Sequence, residues 1–204
     1  MIAANFVKGD ISDLVYANHT SVDIEGVIRR SEIELATYEL KQGLLYIKEK
    51  GKEDPQMIDK VVKTISAIAN IGPKSTGKIL IGVTDKKADA ERIRKVDGIE
   101  PKKVGKRFVV GVNREAKRLG ITVEQYFSKW KNGIRKSGLT PSLRDAVLSN
   151  MDFNSFYGLG VIAITIPSQS ELSYVGEELY WRNADSTEAA QSAKQIASIA
   201  SRFS

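Results

Sequence analysis

QMIDKVVKTISAIANIGPKSTGKILIGVTD, residues Gln56–Asp85, decides the fold class. Met57, Val61, Ile65 and Ile68 recur at helical spacing, and Val62, Ala67 and Ala69 widen their stripe. This predicts a helix from Gln56 to Asn70 with one side against a core. Gly72–Gly77 reads as a loop, and KILIGVTD (Lys78–Asp85) as a buried strand that ends in a turn. A second apolar strand follows at VIAITIP (Val161–Pro167) and a third at Glu178–Arg182. Helices between isolated strands make an α+β pattern, a mixed or antiparallel sheet flanked by helices.

Upstream, Ile24, Val27 and Ile28 stand at helical spacing between Asp23 and about Ile33, which leaves residues 1–22 as an N-terminal arm. Ala36–Ile47 reads as extended, with a bend at Gly43. Downstream lie a polar helix (Ala88–Val96) and a basic helical region from Arg114 to Ser137, interrupted near Gly120. The last helix is expected over Ser186–Phe203, with Ser186 as its N-cap. The expected division is an arm over 1–22 and one domain over 23–204, carrying a basic helical insert around 86–155.

A chain of 204 residues with 42% hydrophobic and 27% charged residues folds as a globular protein, which excludes wholesale disorder. The absence of cysteine excludes disulfides and thiolate-bound zinc. The lone histidine, His19, excludes a histidine-rich metal site and a Ser-His-Asp triad. No apolar run approaches the ~20 residues of a membrane span, and the N-terminus does not read as a signal peptide. A cytoplasmic protein without a membrane partner is expected. The net charge of +6 points to a phosphate-bearing partner, because phosphate neutralisation supplies most non-specific nucleic-acid affinity.

GPKSTGK (Gly72–Lys78) matches half of a nucleotide-binding loop. Such a loop cradles phosphates when it follows a strand and opens a helix. Here a helix precedes it and a strand follows, Ile79 replaces the metal-ligating hydroxyl residue, and Pro73 removes an N–H donor. No ATP site is expected. Lys74 and Lys78 remain candidates for phosphate contacts.

Three acids stand out by context. In the extended segment TYELKQ, period-two alternation puts Glu39 and Lys41 on one face, opposite Tyr38 and Leu40. Asp85 ends an apolar strand, where side chains emerge at a sheet edge, and Glu34 lies just upstream. Two or three carboxylates beside a lysine can hold Mg2+ or Mn2+ at a scissile phosphate. The alternative to a metal site is a helix-end acid at Glu34, a salt-bridge partner of Lys41 or Lys63 at Glu39 and a turn residue at Asp85.

In order along the chain come Glu34, then Glu39-Leu40-Lys41, then Ala67-Ile68-Ala69-Asn70, Gly77 and Gly82-Val83-Thr84-Asp85. VIAITIPSQ (Val161–Gln169) and GEELYWRNADST (Gly176–Thr187) follow. This series resembles the Schlafen AlbA_2 domain: a Glu, a Glu-aromatic-Lys strand, a helix ending Ala-x-Ala-Asn, a Gly-rich turn, a strand closing Gly-Val-x-Asp, and a late strand pair with a Tyr-x-Arg-like hairpin. The likeness covers residues 24–187 apart from the segment around 86–155. Leu40 replaces the usual aromatic, and GPKSTGK expands a short Gly-Gly turn.

The resemblance implies a nucleic-acid-binding α+β lobe acting on RNA or DNA. In nuclease members of the Schlafen group, acids at these positions bind metal and cut RNA. They correspond here to Glu34, Glu39 and Asp85 as metal ligands and catalytic acids, with Lys41 beside them. Other members are DNA-binding domains. Schlafen nuclease cores pair two related lobes around a basic valley, whereas this chain carries one, so a two-fold homodimer is expected.

Basic residues interleave with aromatics in the 86–155 segment, where Lys129, Lys131, Arg135 and Lys136 surround Tyr126, Phe127 and Trp130. Those lysines and arginines are candidate phosphate contacts. The three- and four-residue spacing of Phe127, Trp130 and Ile134 instead predicts a buried stripe. Arg182, in the late hairpin, is a further candidate contact.

Overall fold

A computed structural model describes residues 24–33, 36–47 and 51–204. A helix over residues 24–30 (α1) precedes β1 (Tyr38–Lys41), α2 (Met57–Ala69), β2 (Gly77–Ile81), β3 (Val83–Thr84) and α3 (Lys87–Asp97). Then come β4 (Lys102–Val104), β5 (Arg107–Val109), α4 (Asn113–Leu119), α5 (Val123–Arg135) and α6 (Pro141–Ser149). The chain closes with β6 (Met151–Phe156), β7 (Leu159–Ile166), β8 (Tyr174–Val175), β9 (Glu178–Asn183), β10 (Ser186–Ala189) and α7 (Ala193–Ala200).

The central sheet has four strands in the order β1-β2-β7-β6. β1 and β2 are parallel, and the other pairs are antiparallel. Alternation along β2 and β7 sorts their side chains between two cores. Ile79 and Ile81, beside Ile164 and Ile162, face Val61, Ile65 and Ile68 of α2 and Tyr126, Trp130 and Ile134 of α5. Leu80, beside Ala163, faces the other way, toward Ile24, Val27 and Ile28 of α1 and Val104 and Val109 of β4 and β5. Each such fully buried aliphatic side chain contributes about 1.5–3 kcal/mol of transfer free energy.

Two small antiparallel sheets complete the α+β fold, ordered β3-β5-β4 and β10-β9-β8. The second is tied to the end of α2 by Asn70, which is fully buried. Its amide donates to the carbonyls of Ser173 (2.7 Å) and Tyr180 (2.9 Å) and accepts from the Ser173 amide (2.9 Å). That is the physical reason for an asparagine after Ala67-Ile68-Ala69: a buried side chain must both donate and accept. Gly77 permits the β1–β2 pairing, since a Cβ there would stand 2.3 Å from the Ile68 Cγ2 and 2.6 Å from the Thr37 carbonyl.

The structure changes several expectations. KILIGVTD is two strands, because Gly82 at φ +100° turns the chain out of the central sheet and delivers Val83–Thr84 to the β3-β5-β4 sheet. Only Tyr38–Lys41 of the extended segment is strand. Ser186–Ala189 is a strand paired with β9, and the last helix begins at Ala193, capped by Ser192 in a reciprocal box with Gln195. The 86–155 segment carries four helices, in line with a helical insert, and also supplies the β4–β5 hairpin, the sheet strand β6, and the Tyr126–Trp130–Ile134 stripe of the main core. Trp130 and Ile134 are buried as their spacing predicted, but Tyr126 completes the stripe, and Phe127 is only partly buried against the core. The N-terminal arm lies outside the described residues.

The β6–β7 hairpin turns through only Tyr157 and Gly158, both with positive φ (49° and 78°). Such a two-residue turn favours Asn, Asp or Gly at its first position. A tyrosine there costs on the order of 1 kcal/mol.

Candidate functional site

Glu39 stands on the edge strand β1 with both oxygens engaged. Oε1 accepts from the Lys41 ammonium at 2.8 Å, and Oε2 accepts from the Arg182 guanidinium at 3.1 Å. Arg182, on β9, has a side chain only 2% exposed. Besides Glu39 it donates to the Ala36 carbonyl (3.1 Å), the Tyr38 carbonyl (3.4 Å) and the Thr187 hydroxyl (2.9 Å). It thus sews the β9–β10 hairpin to β1 and fixes the Glu39 rotamer.

Asp85 follows β3 and is half-exposed; its carboxylate stands 3.8 Å from the Arg107 guanidinium. Arg107 also donates to the Ser31 carbonyl at 3.0 Å, while its buried Nε has no hydrogen-bond partner among the described residues. Glu39 and Asp85 line one cavity of about 430 Å3, with Lys41, Lys86, Arg107 and Arg182 around them and Asp89 and Asp185 at its walls. A neighbouring cavity of about 360 Å3 shares Glu39, Lys41 and Asp185 and adds Lys60, Lys63 and Tyr180. The bond to Asp59 raises the Lys63 ammonium above its usual pKa, with burial opposing, so it stays a cation at neutral pH. Burial pushes the Tyr180 hydroxyl up as well, with Glu178 beside it adding to the effect.

A buried polar network holds the loop that leaves β1. The fully buried Glu115 accepts from the Leu44 amide (2.6 Å), the Leu45 amide (3.2 Å), the Tyr126 hydroxyl (2.6 Å) and Arg114 (2.9 Å). Arg114 in turn donates to the Gln42 carbonyl (2.9 Å) and pairs with Asp97 (3.2 Å). Burial raises the Glu115 carboxyl above its usual range, against the pull of Arg114, Tyr126 and the two amides. Gly43 permits this packing, since a Cβ would meet the Glu115 carboxylate at 2.2 Å.

Of the sequence-predicted residues, Glu39, Lys41, Asp85 and Arg182 converge on the cavity. Glu34 lies outside the described residues. Lys74 is exposed in its loop, and Lys78 donates to Thr165 across the sheet (3.2 Å). Lys129 pairs with Glu53 (2.9 Å), Lys131 covers the Phe127 ring (5.3 Å), and Arg135 and Lys136 are exposed at the end of α5; none of the four lines the cavity. Arg182 is an internal anchor rather than an exposed surface cation. Asp89 and Asp185 were not picked out from sequence, and Arg107 stood out there only as one basic residue of the 86–155 segment. The Gly72–Lys78 loop does follow a helix and open a strand, the reverse of a nucleotide-binding loop. Among the described residues no three acidic or imidazole side chains stand close enough to share one ion.

The chain from Glu34 to Gln191 matches the family model described as "Schlafen, AlbA_2". The chain belongs to the Schlafen AlbA_2 family. The match runs through the 86–155 segment, in keeping with that segment's place in the AlbA_2 core. Among solved structures, the DIP2311 protein from Corynebacterium diphtheriae is similar in fold, with a TM-score of 0.50 and 16% identity. The similarity covers 93% of this chain and 33% of that one, so this AlbA_2 domain spans about a third of that protein's chain. No curated protein matches the chain. Family membership associates the domain with nucleic acid. No helix among the described residues is long and apolar enough to cross a membrane.

Proposed function

We propose that this AlbA_2 domain binds RNA or DNA across the Glu39–Asp85 cavity and, with Mg2+ or Mn2+, acts there as an endonuclease. One observation carries the reading. Glu39 on β1 and Asp85 after β3 come from different sheets and distant sequence, yet both face one cavity rimmed by cations. A phosphodiester is an anion, and Lys41, Lys86 and Arg107 can neutralise it.

Two carboxylates suit a hard divalent ion, which takes oxygen ligands at about 2.0–2.6 Å. The pair needs a further oxygen, and Glu34 is our candidate for that place. When bound, such an ion polarises the phosphoryl oxygen and lowers the pKa of a coordinated water. The chain's own groups have separable tasks. Arg182 orients Glu39, Arg107 holds Asp85, and Lys41, about one quarter exposed, reaches from Glu39 into the cavity.

A second reading rests on the Glu39 ion pairs. With both its oxygens engaged by Lys41 and Arg182, the domain serves as a non-catalytic DNA- or RNA-binding or interaction module of a larger defence or regulatory protein. Cleavage of RNA and DNA oligonucleotides in Mn2+ by the wild type and Asp85→Asn separates the two. Asp85 is half-exposed, so its replacement costs little stability. The nuclease reading expects cutting that EDTA abolishes, lost in Asp85→Asn while binding persists or tightens. Binding without cutting by the wild type favours the module.

A further inference from the structure

Tyr157 is the least economical surface residue of the fold. It is 70% exposed, it occupies the left-handed first position of a two-residue hairpin turn, and Asn, Asp or Gly would form that turn with less strain. Its ring is nevertheless oriented. Phe156, itself buried, meets it edge-on at 4.8 Å between centroids, and the Lys102 ammonium stands 5.9 Å from its centroid. A strained conformation that presents an oriented aromatic ring to solvent, beside cations, points to a bound group rather than to packing.

The surroundings specify the group. Lys102 and Lys103 of β4 are exposed, as is Lys106 in the turn that follows. Within the same hairpin Val104 pairs with Arg107, which holds Asp85 at the cavity. The β4–β5 hairpin therefore carries Lys102 at the Tyr157 ring and Arg107 at the cavity, with Lys103 exposed between them. Phosphates along these cations and a base on the ring fit a single strand, in which bases are free to stack; duplex bases are already stacked on each other. An apolar peptide would fit the ring but not the three exposed lysines.

We infer that Tyr157 is a stacking platform for an unpaired base of single-stranded nucleic acid, with Lys102 and Lys103 gripping the adjoining phosphates. This rests on the nucleic-acid reading of the cavity and adds the strandedness of the ligand and its course over β4. No bond is made or broken at Tyr157, so its contribution is to affinity and to the placing of the strand.

The test compares binding of a single-stranded oligonucleotide, its duplex and an abasic oligonucleotide of equal length, by fluorescence anisotropy in low salt. The proteins are the wild type, Tyr157→Asn, Tyr157→Gly and Tyr157→Phe. Asparagine and glycine both suit the turn, so thermal stability is expected to hold or rise. Both should bind the base-bearing strand at least about fivefold more weakly, the scale of one lost stacking contact. Their affinity for the abasic strand and the salt slope should not change, because no charge is removed. Tyr157→Phe keeps the ring and should match the wild type. Equal affinity of wild type and Tyr157→Asn for the base-bearing strand overturns the platform and leaves the cavity reading standing. So does a wild type that prefers duplex to single strand. Failure of the wild type to bind either oligonucleotide overturns both.

Discussion

Replacing Arg182 by methionine is the perturbation that best separates an internal anchor from a nucleic-acid contact. The guanidinium bonds to Glu39, Thr187 and the carbonyls of Ala36 and Tyr38, and its side chain is 2% exposed. Methionine keeps the apolar stem and leaves two carbonyls, a hydroxyl and one oxygen of Glu39 without their donor. Breaking a buried ion pair costs about 3–5 kcal/mol. Lys41 still partners Glu39, so the lower part of that range is expected. For a domain of this length each kilocalorie lowers Tm by roughly 2–4 °C, so a fall of at least about 6 °C follows. Thermal unfolding followed by tryptophan fluorescence measures it, since Trp130 is fully buried. The loss should be nearly independent of salt, as a buried pair is little screened. A double-mutant cycle with Glu39→Gln should return a clear coupling energy. Arg182→Met with unchanged stability but weakened oligonucleotide binding would refute this reasoning and make Arg182 a phosphate contact.

Other outcomes follow from the same geometry. Burial opposes ionisation of Asp54, but the Gln56 amide, Lys60 and Tyr46 outweigh it and hold its carboxyl below the ordinary value of 3.8. A depressed folded pKa contributes stability that is present above pH 3.8 and lost as pH falls through the folded value, so Asp54→Asn should flatten acid unfolding in that window. Reversing Lys129, Lys131, Arg135 and Lys136 to glutamate leaves the cavity intact. If α5 carries part of the backbone contact, the slope of log K against log salt should flatten without unfolding. An unchanged affinity confines the interface to the cavity side. A two-fold dimer is the proposed assembly, and light scattering at high micromolar concentration should return twice the mass of one chain; a monomer there rejects it.

Legibility in the sequence followed the density of apolar pattern. α2, β2, β7 and the buried stripe of α5 announce themselves because β-branched and aromatic residues repeat at one clear period. The β9–β10 hairpin was misread at its second strand, because Ser186, Thr187, Glu188 and Ala189 carry no apolar period. Only tertiary bonds, such as Arg182 to Thr187, decide for strand. The signal that places the last helix was present as Ser192–Gln195, a capping box with the right spacing. Gly82 was the overlooked signal in KILIGVTD: one glycine inside a strand pattern marks a break. At the site, alternation put Glu39 and Lys41 on one face, and their ion pair follows from it. Asp85 could be joined to Glu39 only through the family pattern. Arg107 carried no motif at all, because its place depends on the β4–β5 turn at Gly105 and Lys106.

Equilibrium binding of a mixed-sequence oligonucleotide to the intact domain over a series of salt concentrations tests the central claim most directly. Each phosphate neutralised adds about −0.7 to −0.9 to the slope of log K against log salt. With Lys41, Lys86 and Arg107 at the cavity and Lys102 and Lys103 along β4, a slope of roughly −2 or steeper is expected. Binding that is absent in low salt, or indifferent to salt, would contradict a nucleic-acid function for this cavity.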